Sequence, residues 1–543
     1  MSIIHVPKQC KMNKNGGILY GDSVEIPKHL CYGRFVLDRI VNFKNKIALI
    51  NAVKGNQITY GEIAQQVVNI ASSLLELGVK KGDVIAICSE NRIEVMVTYI
   101  AVLCTEAIVT VVNSSYSKDE LAHALKISTP KYMFLSEDTY KKNYKVIKKL
   151  DLVQTFILFD NVTSYTGVIL YKNFIENHFD ISTFKTPDFK GEMRTALILY
   201  SSGTTGFAKG AKLNHQNLIV AGIQPLFTTS TKLILSIAPW SSCMGLMCTM
   251  DELVEGRTMV FLPRFDERLY MQTIEKYKIG ILAVPPPLLV MLCKSSIAQE
   301  YDISSVEIIN SGGAPLNPSV INQIKKRYPN IKHVLQGFGM TEATGALTKE
   351  FHHAPRPGSV GQIITGNIIK VVDVETRKIL GPGEEGEVCV KGPVVFEGYI
   401  GKDKSDDFDN DGFFKTGDIA YYDKDGYFYV VDRLKELIKY KAWQVAPSEL
   451  EALLLQHPAV KDVGVIGAPD ELAGELPTAF IVKQPNAKVT EKDVIDFVAS
   501  KVSPWKKLSG GVIFVDMIPK NPSGKILRRK LRELLSKKPK SKL

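Results

Sequence analysis

From about residue 48 to residue 430, short apolar runs alternate with helical patterns, and this alternation narrows the possible folds more than any other feature of the chain. VIAICSE (84–90), KYMFLSE (131–137), TFILFD (155–160), TMVFLP (258–263) and GILAVPP (280–286) have the length of buried strands, and ELAHALKIS (120–128) falls among them. Strands separated by helices build largely parallel sheets covered on both faces. The most apolar segment, 95–112, is interrupted by Thr105-Glu106 and reads as a core helix followed by a strand, not as a membrane span.

After residue 360 the texture changes to short strands and turns (GEVCVKG, DKDG, GYFYVVD). From Asp432 onward two helical segments (SELEALLLQH, EKDVIDFVASKV) are interleaved with strands (VGVIGA, TAFIVK, GVIFVD). A chain of 543 residues exceeds one ordinary core. The expected fold class is α/β. A large N-terminal domain (1–431) has layered α/β subdomains plus a small β-rich one, and a small α+β C-terminal domain (432–543) ends in a basic tail. The charged segment Val431–Lys435 marks the boundary.

Eight cysteines are scattered without a C-x-x-C pair, and nine histidines show no H-x-x-x-H spacing. That pattern speaks against a structural zinc site and for a reducing compartment. The N-terminus has no apolar run of signal-peptide length. Much of the net charge of +11 sits in the last nineteen residues, where Glu533 is the only acid, and no RNA- or DNA-binding motif accompanies them. The chain ends in Ser541-Lys542-Leu543, a peroxisomal address read by an import receptor and giving no membrane anchorage.

Chemistry concentrates in four stretches. YSSGTTGFAKGA (200–211) follows an apolar run and combines glycines, hydroxyls and Lys209, the components of a phosphate cradle, without the spacing of a Walker loop. The bland alternative is an ordinary surface loop. QGFGMTEATGA (336–346) sets an aromatic beside glycines and offers Glu342, whose carboxylate can ligate Mg²⁺ bridging phosphates. In TGDIAYYDKDG (416–426), Asp418 suits a ribose diol or a turn cap. PKNPSGKILRRK (519–530) presents Lys525 after a Pro-Ser-Gly turn, as a cation for a cleft or as part of the basic tail.

Together, and in this order, these stretches make the chain resemble the adenylate-forming enzymes, which include acyl-CoA synthetases, coumarate:CoA ligases and beetle luciferases. SGGAPL (311–316), GDIAYYDKDG (417–426), VDRLKELIKYKAWQVAP (431–447) and GELPTAFIV (474–482) bring it nearest the luciferase-like branch. The resemblance implies activation of a carboxylic acid by Mg·ATP, then transfer to CoA after the mobile C-terminal domain rotates. Ser201, Ser202, Gly203, Thr204, Thr205, Gly206 and Lys209 would hold the β- and γ-phosphates. Gly313, Ala314, Pro315, Gly337, Phe338 and Gly339 would line the adenine slot. Thr341 would meet the α-phosphate and Glu342 the metal, while Asp418 and Arg433 would hold the ribose. Lys525 would bridge carboxylate and α-phosphate, and Asp432 and Lys435 would flank the hinge. Lys439 and Gln444 would lie on the face presented after rotation.

Departures from the family pattern point to the substrate. Gly206-Phe207-Ala208-Lys209-Gly210 lacks a usual proline, and Ala442 adds a methyl beside the channel for pantetheine. Where luciferases carry a histidine pair this chain has Ser241-Ser242, where they carry an arginine it has Ala221, and Gly345-Ala346 replace Ser-Ala after the glutamate's two following residues. A wider, less polar pocket favours a medium- to long-chain fatty acid over a polar heteroaromatic acid. The same-fold alternative is a luciferase-like oxygenase with weak emission. A non-catalytic paralogue and a nucleic-acid-binding role are weaker readings.

Overall fold

The computed structural model describes residues 11–12, 17–23, 25–26, 31–161, 165–201, 208–224, 232–314, 316, 318–440, 443–470, 472–521 and 524–537. Two large sheets form the body of the molecule. In one, strands Val84–Ser89, Ile108–Asn113, Tyr132–Leu135, Thr155–Leu158, Val168–Leu170 and Thr195–Ser201 run parallel, and Lys209–Asn214 and Gly398–Tyr399 extend an antiparallel edge. In the other, Ile47–Asn51, Ile234–Ser236, Met259–Phe261, Ile281–Val284, Ile308–Gly312 and His333–Met340 are parallel, with Gln57–Thr59, Gly345–Lys349 and Gln362–Ile363 added antiparallel at the ends. The apolar runs of the sequence thus become the parallel strands, buried on both faces.

Helices pack between the two sheets. Ile93–Leu103 is buried at every position except Glu94, which explains why its sequence is apolar all round. It shares one hydrophobic core with Tyr60–Glu76, His215–Gly222 and Cys243–Val254. Helix Lys118–Ser128 begins two residues before the ELAHALKIS pattern, because Ser117 and Glu120 form a reciprocal capping box there. Among the described residues, no helix is long and apolar enough to cross a membrane.

A six-stranded antiparallel sheet contains Ile368–Val372, Gly386–Lys391, Phe414–Tyr422 and Phe428–Arg433. A small C-terminal domain follows, built on the long antiparallel pair Val460–Asp470 and Gly474–Lys483 with its own hydrophobic core. Helices Pro447–Leu454, Glu491–Ala499 and Arg528–Lys537 belong to it. Inside, the Arg528 guanidinium donates to both Glu451 carboxylate oxygens (2.8 and 2.9 Å) and to the Val465 carbonyl.

This domain seats on the large one through specific contacts. Lys294 Nζ donates to the Val460 (2.7 Å) and Leu455 (3.3 Å) carbonyls. Gly524 turns at φ +82° and lies so close to Pro287 that a Cβ there would meet the proline ring at 2.8 Å.

The strands of both large sheets end at one cavity. Asn113 and Ser201 close strands of the first sheet there, and Gly312 and Met340 close strands of the second. This is the crevice at the carboxyl ends of strands where α/β sheets bind ligands. Its floor is tightly drawn, because a Cβ on Gly339 would lie 2.0 Å from the Gly345 carbonyl oxygen across the strand pair. Gly339→Ala is expected to lower the midpoint of urea unfolding by the equivalent of about 1–3 kcal/mol. An unchanged midpoint would mean that the two strands part without cost.

Candidate active site

The cavity, about 830 Å³, lies between the large domain and the loop that carries Lys525. Strand Thr195–Ser201 brings Ser201 to its wall, and the antiparallel pairing of Ser201 with Lys209 brings back the lysine. Lys209 Nζ sits 4.6 Å over the Tyr399 ring, an electrostatic attraction to the ring face. The intervening Ser202, Gly203, Thr204, Thr205 and Gly206, like Phe207, lie outside the described residues.

After strand His333–Met340 the chain makes a single 3₁₀ turn, Thr341–Ala343, and Thr344 takes φ +52° to leave it. This turn sets Thr341 and Glu342 on the cavity wall. The Glu342 carboxylate oxygen Oε1 accepts from the Ser201 hydroxyl and the Tyr399 hydroxyl, each at 2.5 Å. One acid is thereby fixed by hydroxyls from two strands of the first sheet. Gly313, Gly337, Phe338 and Gly339 line the adjoining stretch. Ala314 is described but is not part of the wall, and Pro315 lies outside the described residues.

On the opposite side, Asp418 and Arg433 face each other across neighbouring strands, Arg433 Nε 2.6 Å from Asp418 Oδ1. Arg433 reaches the cavity, whereas Asp418 lies behind it, 4% exposed, with no hydrogen-bond partner on Oδ2 among the described residues. The two residues expected to hold the ribose are thus brought together, but only Arg433 reaches the wall. Burial pushes the Asp418 carboxyl up to about 6 against the pull of Arg433 and Lys525.

Lys525 lines the cavity from the C-terminal side. Its loop is pinned by Asn521, whose Oδ1 accepts from the Lys525 amide and whose amide donates to the Lys525 carbonyl. Burial, then the like charge of Arg433, push the Lys525 ammonium down to about 8, while Asp418 and Glu436 resist. Lys435 also lines the cavity, and Asp432 lies buried off it. Lys439 is exposed and is not part of this cavity's wall; its strand Ile438–Tyr440 pairs with Trp443–Val445, which sets Gln444 opposite Lys439 in the register. Ala442 lies outside the described residues.

Ala221, Ser242, Gly345 and Ala346 all reach the wall. The Ser242 hydroxyl, however, is already engaged. It donates to the Pro239 carbonyl (2.7 Å) and accepts from the Gly245 amide (3.1 Å) as the N-cap of helix Cys243–Val254. Further in, the wall is less apolar than the sequence indicated: Asp251 and Lys349 line it, 3.7 Å apart. Tyr399, Asp251 and Lys349 were missed by sequence reading. The one available signal for the last two was a charge at the end of otherwise apolar segments, CMGLMCTM and GALT.

The model of the AMP-binding enzymes matches residues 37–400, and that of their C-terminal domain matches residues 449–525. The chain is an AMP-binding enzyme. It is 39% identical over 515 residues to a luciferin 4-monooxygenase of Photuris pensylvanica, covering 93% of this chain and 94% of that one. A peroxisomal OPC-8:0-CoA ligase of Arabidopsis thaliana is 36% identical over 500 residues, 90% of each chain. Among solved structures, ATP-bound MatB from Rhodopseudomonas palustris superposes with a TM-score of 0.82 at 27% identity, covering 94% of this chain and 99% of that one. The enzyme thus sits in the branch holding both luciferases and CoA ligases, as its motifs indicated.

Lys209, Arg433, Lys435 and Lys525 line its cavity together with Glu342, and lysines and arginines outnumber aspartates and glutamates on the wall as a whole, an environment for a polyanion. In the free enzyme Lys525 is a cation below its value of about 8 and neutral above it. The kcat/KM for pyrophosphate release should therefore fall as pH rises through about 8, and Lys525→Arg should move that fall to higher pH. A profile identical in both proteins would remove Lys525 from the titration.

Proposed function

We propose that the enzyme activates a medium- to long-chain acyl carboxylate with Mg·ATP and passes the acyl group to CoA. A carboxylate oxygen attacks the α-phosphorus, the bond to the β-phosphate oxygen breaks, and pyrophosphate leaves. In the second step the CoA sulfur attacks the acyl carbonyl carbon and AMP departs with the bonding electrons. The observation that carries this reading is Lys525, held over the cavity by a loop of the C-terminal domain while Lys209, Thr341 and Glu342 face it from the large domain.

Ser201 to Gly206 with Lys209 would receive the β- and γ-phosphates, Gly313 and Gly337–Gly339 the adenine, and Arg433 with Asp418 the ribose. Asp418's unpartnered oxygen supports a hydroxyl donor from a ligand. Lys525 would offset the repulsion between carboxylate and α-phosphate, the contribution of a transition-state cation. Glu342 would hold Mg²⁺ as a lone protein carboxylate beside phosphate oxygens; its buried acid clamped by two hydroxyls fits such a site. Bound there, the ion would neutralise charge on the departing pyrophosphate. CoA would approach after the domain 432–543 rotates about Asp432–Lys435 and presents Lys439 and Gln444.

The wall of Ala221, Gly345 and Ala346, with Met244 and Met247, suits an acyl chain. Ser242, committed to its helix, cannot take the place of an imidazole that orients luciferin. Ser541-Lys542-Leu543, outside the described residues, would direct the protein to peroxisomes through the import receptor.

Pyrophosphate release across acids of varied length, with and without CoA, should show CoA-dependent thioester from fatty acids, and luciferin should give very weak light. Strong luminescence without any thioester would favour the luciferase-like oxygenase instead. Lys525→Ala should cut adenylate formation by ~10²–10³ while sparing thioester formation from a supplied adenylate. Lys439→Ala should do the reverse, and equal loss in both half-reactions for either variant would sink the two-face assignment. Deleting residues 541–543 should disperse the protein into the cytosol with activity intact in extracts; retained peroxisomal localisation would point to another address.

A further inference from the structure

The acyl side of the cavity has a direction. Helix Cys243–Val254 turns Met244, Met247, Cys248 and Asp251 toward it, the spacing of one helix face. Met244 lies beside Gly313 and Met247 beside Gly345, close to the turn bearing Thr341 and Glu342. From Met244 to Asp251 the helix descends about 10 Å. Strand Gly345–Lys349 starts level with Met247, about one turn further along, and covers about 13 Å. Helix and strand therefore leave the reacting end together and meet at Asp251 and Lys349. There Lys349 Nζ stands 3.7 Å from Asp251 Oδ2, with side chains 6% and 15% exposed.

A buried ion pair is a costly end for a channel meant to hold a methyl group. Filling it with hydrocarbon strips water from two charges and returns no hydrogen bond. A second carboxylate fits no better. Glu252 follows immediately, paired with Arg257 at 3.5 Å, and burial already pushes Asp251 up to about 6 and Glu252 up to about 7. Another anion would add repulsion to two acids that resist ionising, and an ammonium would meet Lys349. Charge at this end is balanced, since Glu255 lies exposed and pairs with Arg39. The group that suits it is neutral and can both donate and accept. The separation of 3.7 Å exceeds the about 2.7–2.9 Å of a charge-assisted hydrogen bond, and a hydroxyl oxygen can span it by donating to the carboxylate and accepting from the ammonium.

Resting on the acyl-activating reading above, we propose that Asp251 and Lys349 recognise a hydroxyl at the distal end of the substrate chain, so that the preferred acids are hydroxy-acids bearing that group far from the carboxylate. The chemistry of activation is unchanged; the pair acts on which acid is chosen.

The test uses the full-length native enzyme and matched series of unsubstituted, ω-hydroxy and α,ω-dicarboxylic acids, each read by ATP-dependent pyrophosphate release. At the best-fitting length the hydroxy-acid should exceed its unsubstituted counterpart in kcat/KM by about 10- to 10²-fold, as for a hydrogen bond to a charged group. In Asp251→Leu/Lys349→Met, which leaves neither charge unpaired, that ratio should collapse toward one. Asp251→Asn, nearly isosteric, should lower the ratio in the same direction and covers the case where the double variant does not fold. Equal or better use of unsubstituted acids at every length, or preference for the dicarboxylates, overturns the assignment while leaving acyl activation standing. Absence of pyrophosphate release with every acid overturns the activation reading itself, and this one with it.

Discussion

Burying Asp418 between two cations is the constraint on which the site depends. Its carboxylate is 4% exposed, bonded to Arg433 across a strand pair and close enough to Lys525 for each to shift the other's proton affinity. Arg433 ends the edge strand Phe428–Arg433 of the six-stranded sheet, and Lys525 belongs to a loop of the C-terminal domain, so one acid ties the position of the small domain to that sheet. Removing either partner from such a buried group is costly, of the order of 3–5 kcal/mol where a charge is left uncompensated. Glycine at 524 and Lys294 on the facing helix complete the seating, the first by permitting close approach and the second by satisfying two carbonyls of the small domain.

Much of this was legible in the sequence, for a physical reason. Parallel strands buried on both faces must be apolar throughout, so VIAICSE or GILAVPP announces its environment without knowledge of its neighbours. Glycines at 313 and 339 are written by local demands, φ +85° at the first and a cross-strand contact at the second. Thr341, Glu342 and Lys525 could likewise be picked out because a charge or hydroxyl beside glycine turns is a local pattern.

What the sequence hid depends on tertiary pairing. Nothing near Tyr399 indicates that its hydroxyl will clamp Glu342, since that contact arises when an edge strand is added to the first sheet. Arg433 pairing with Asp418, and Asp251 meeting Lys349, depend on strand register and helix orientation in the same way. Ser242 shows the limit most clearly: its replacement of a histidine read as a change of pocket polarity, yet its hydroxyl serves the backbone of its own helix.

The depressed ammonium of Lys525 has a thermodynamic corollary for ligand entry. On the proposed reading, a group only partly charged in mildly alkaline solution would become fully charged beside a polyphosphate, so nucleotide association would draw protons from the medium. The heat of binding would then depend on the ionisation enthalpy of the buffer, and affinity would decline with alkalinity even before any bond is made or broken. Through this lysine, nucleotide occupancy and proton activity would become reciprocal variables, each able to report on the other.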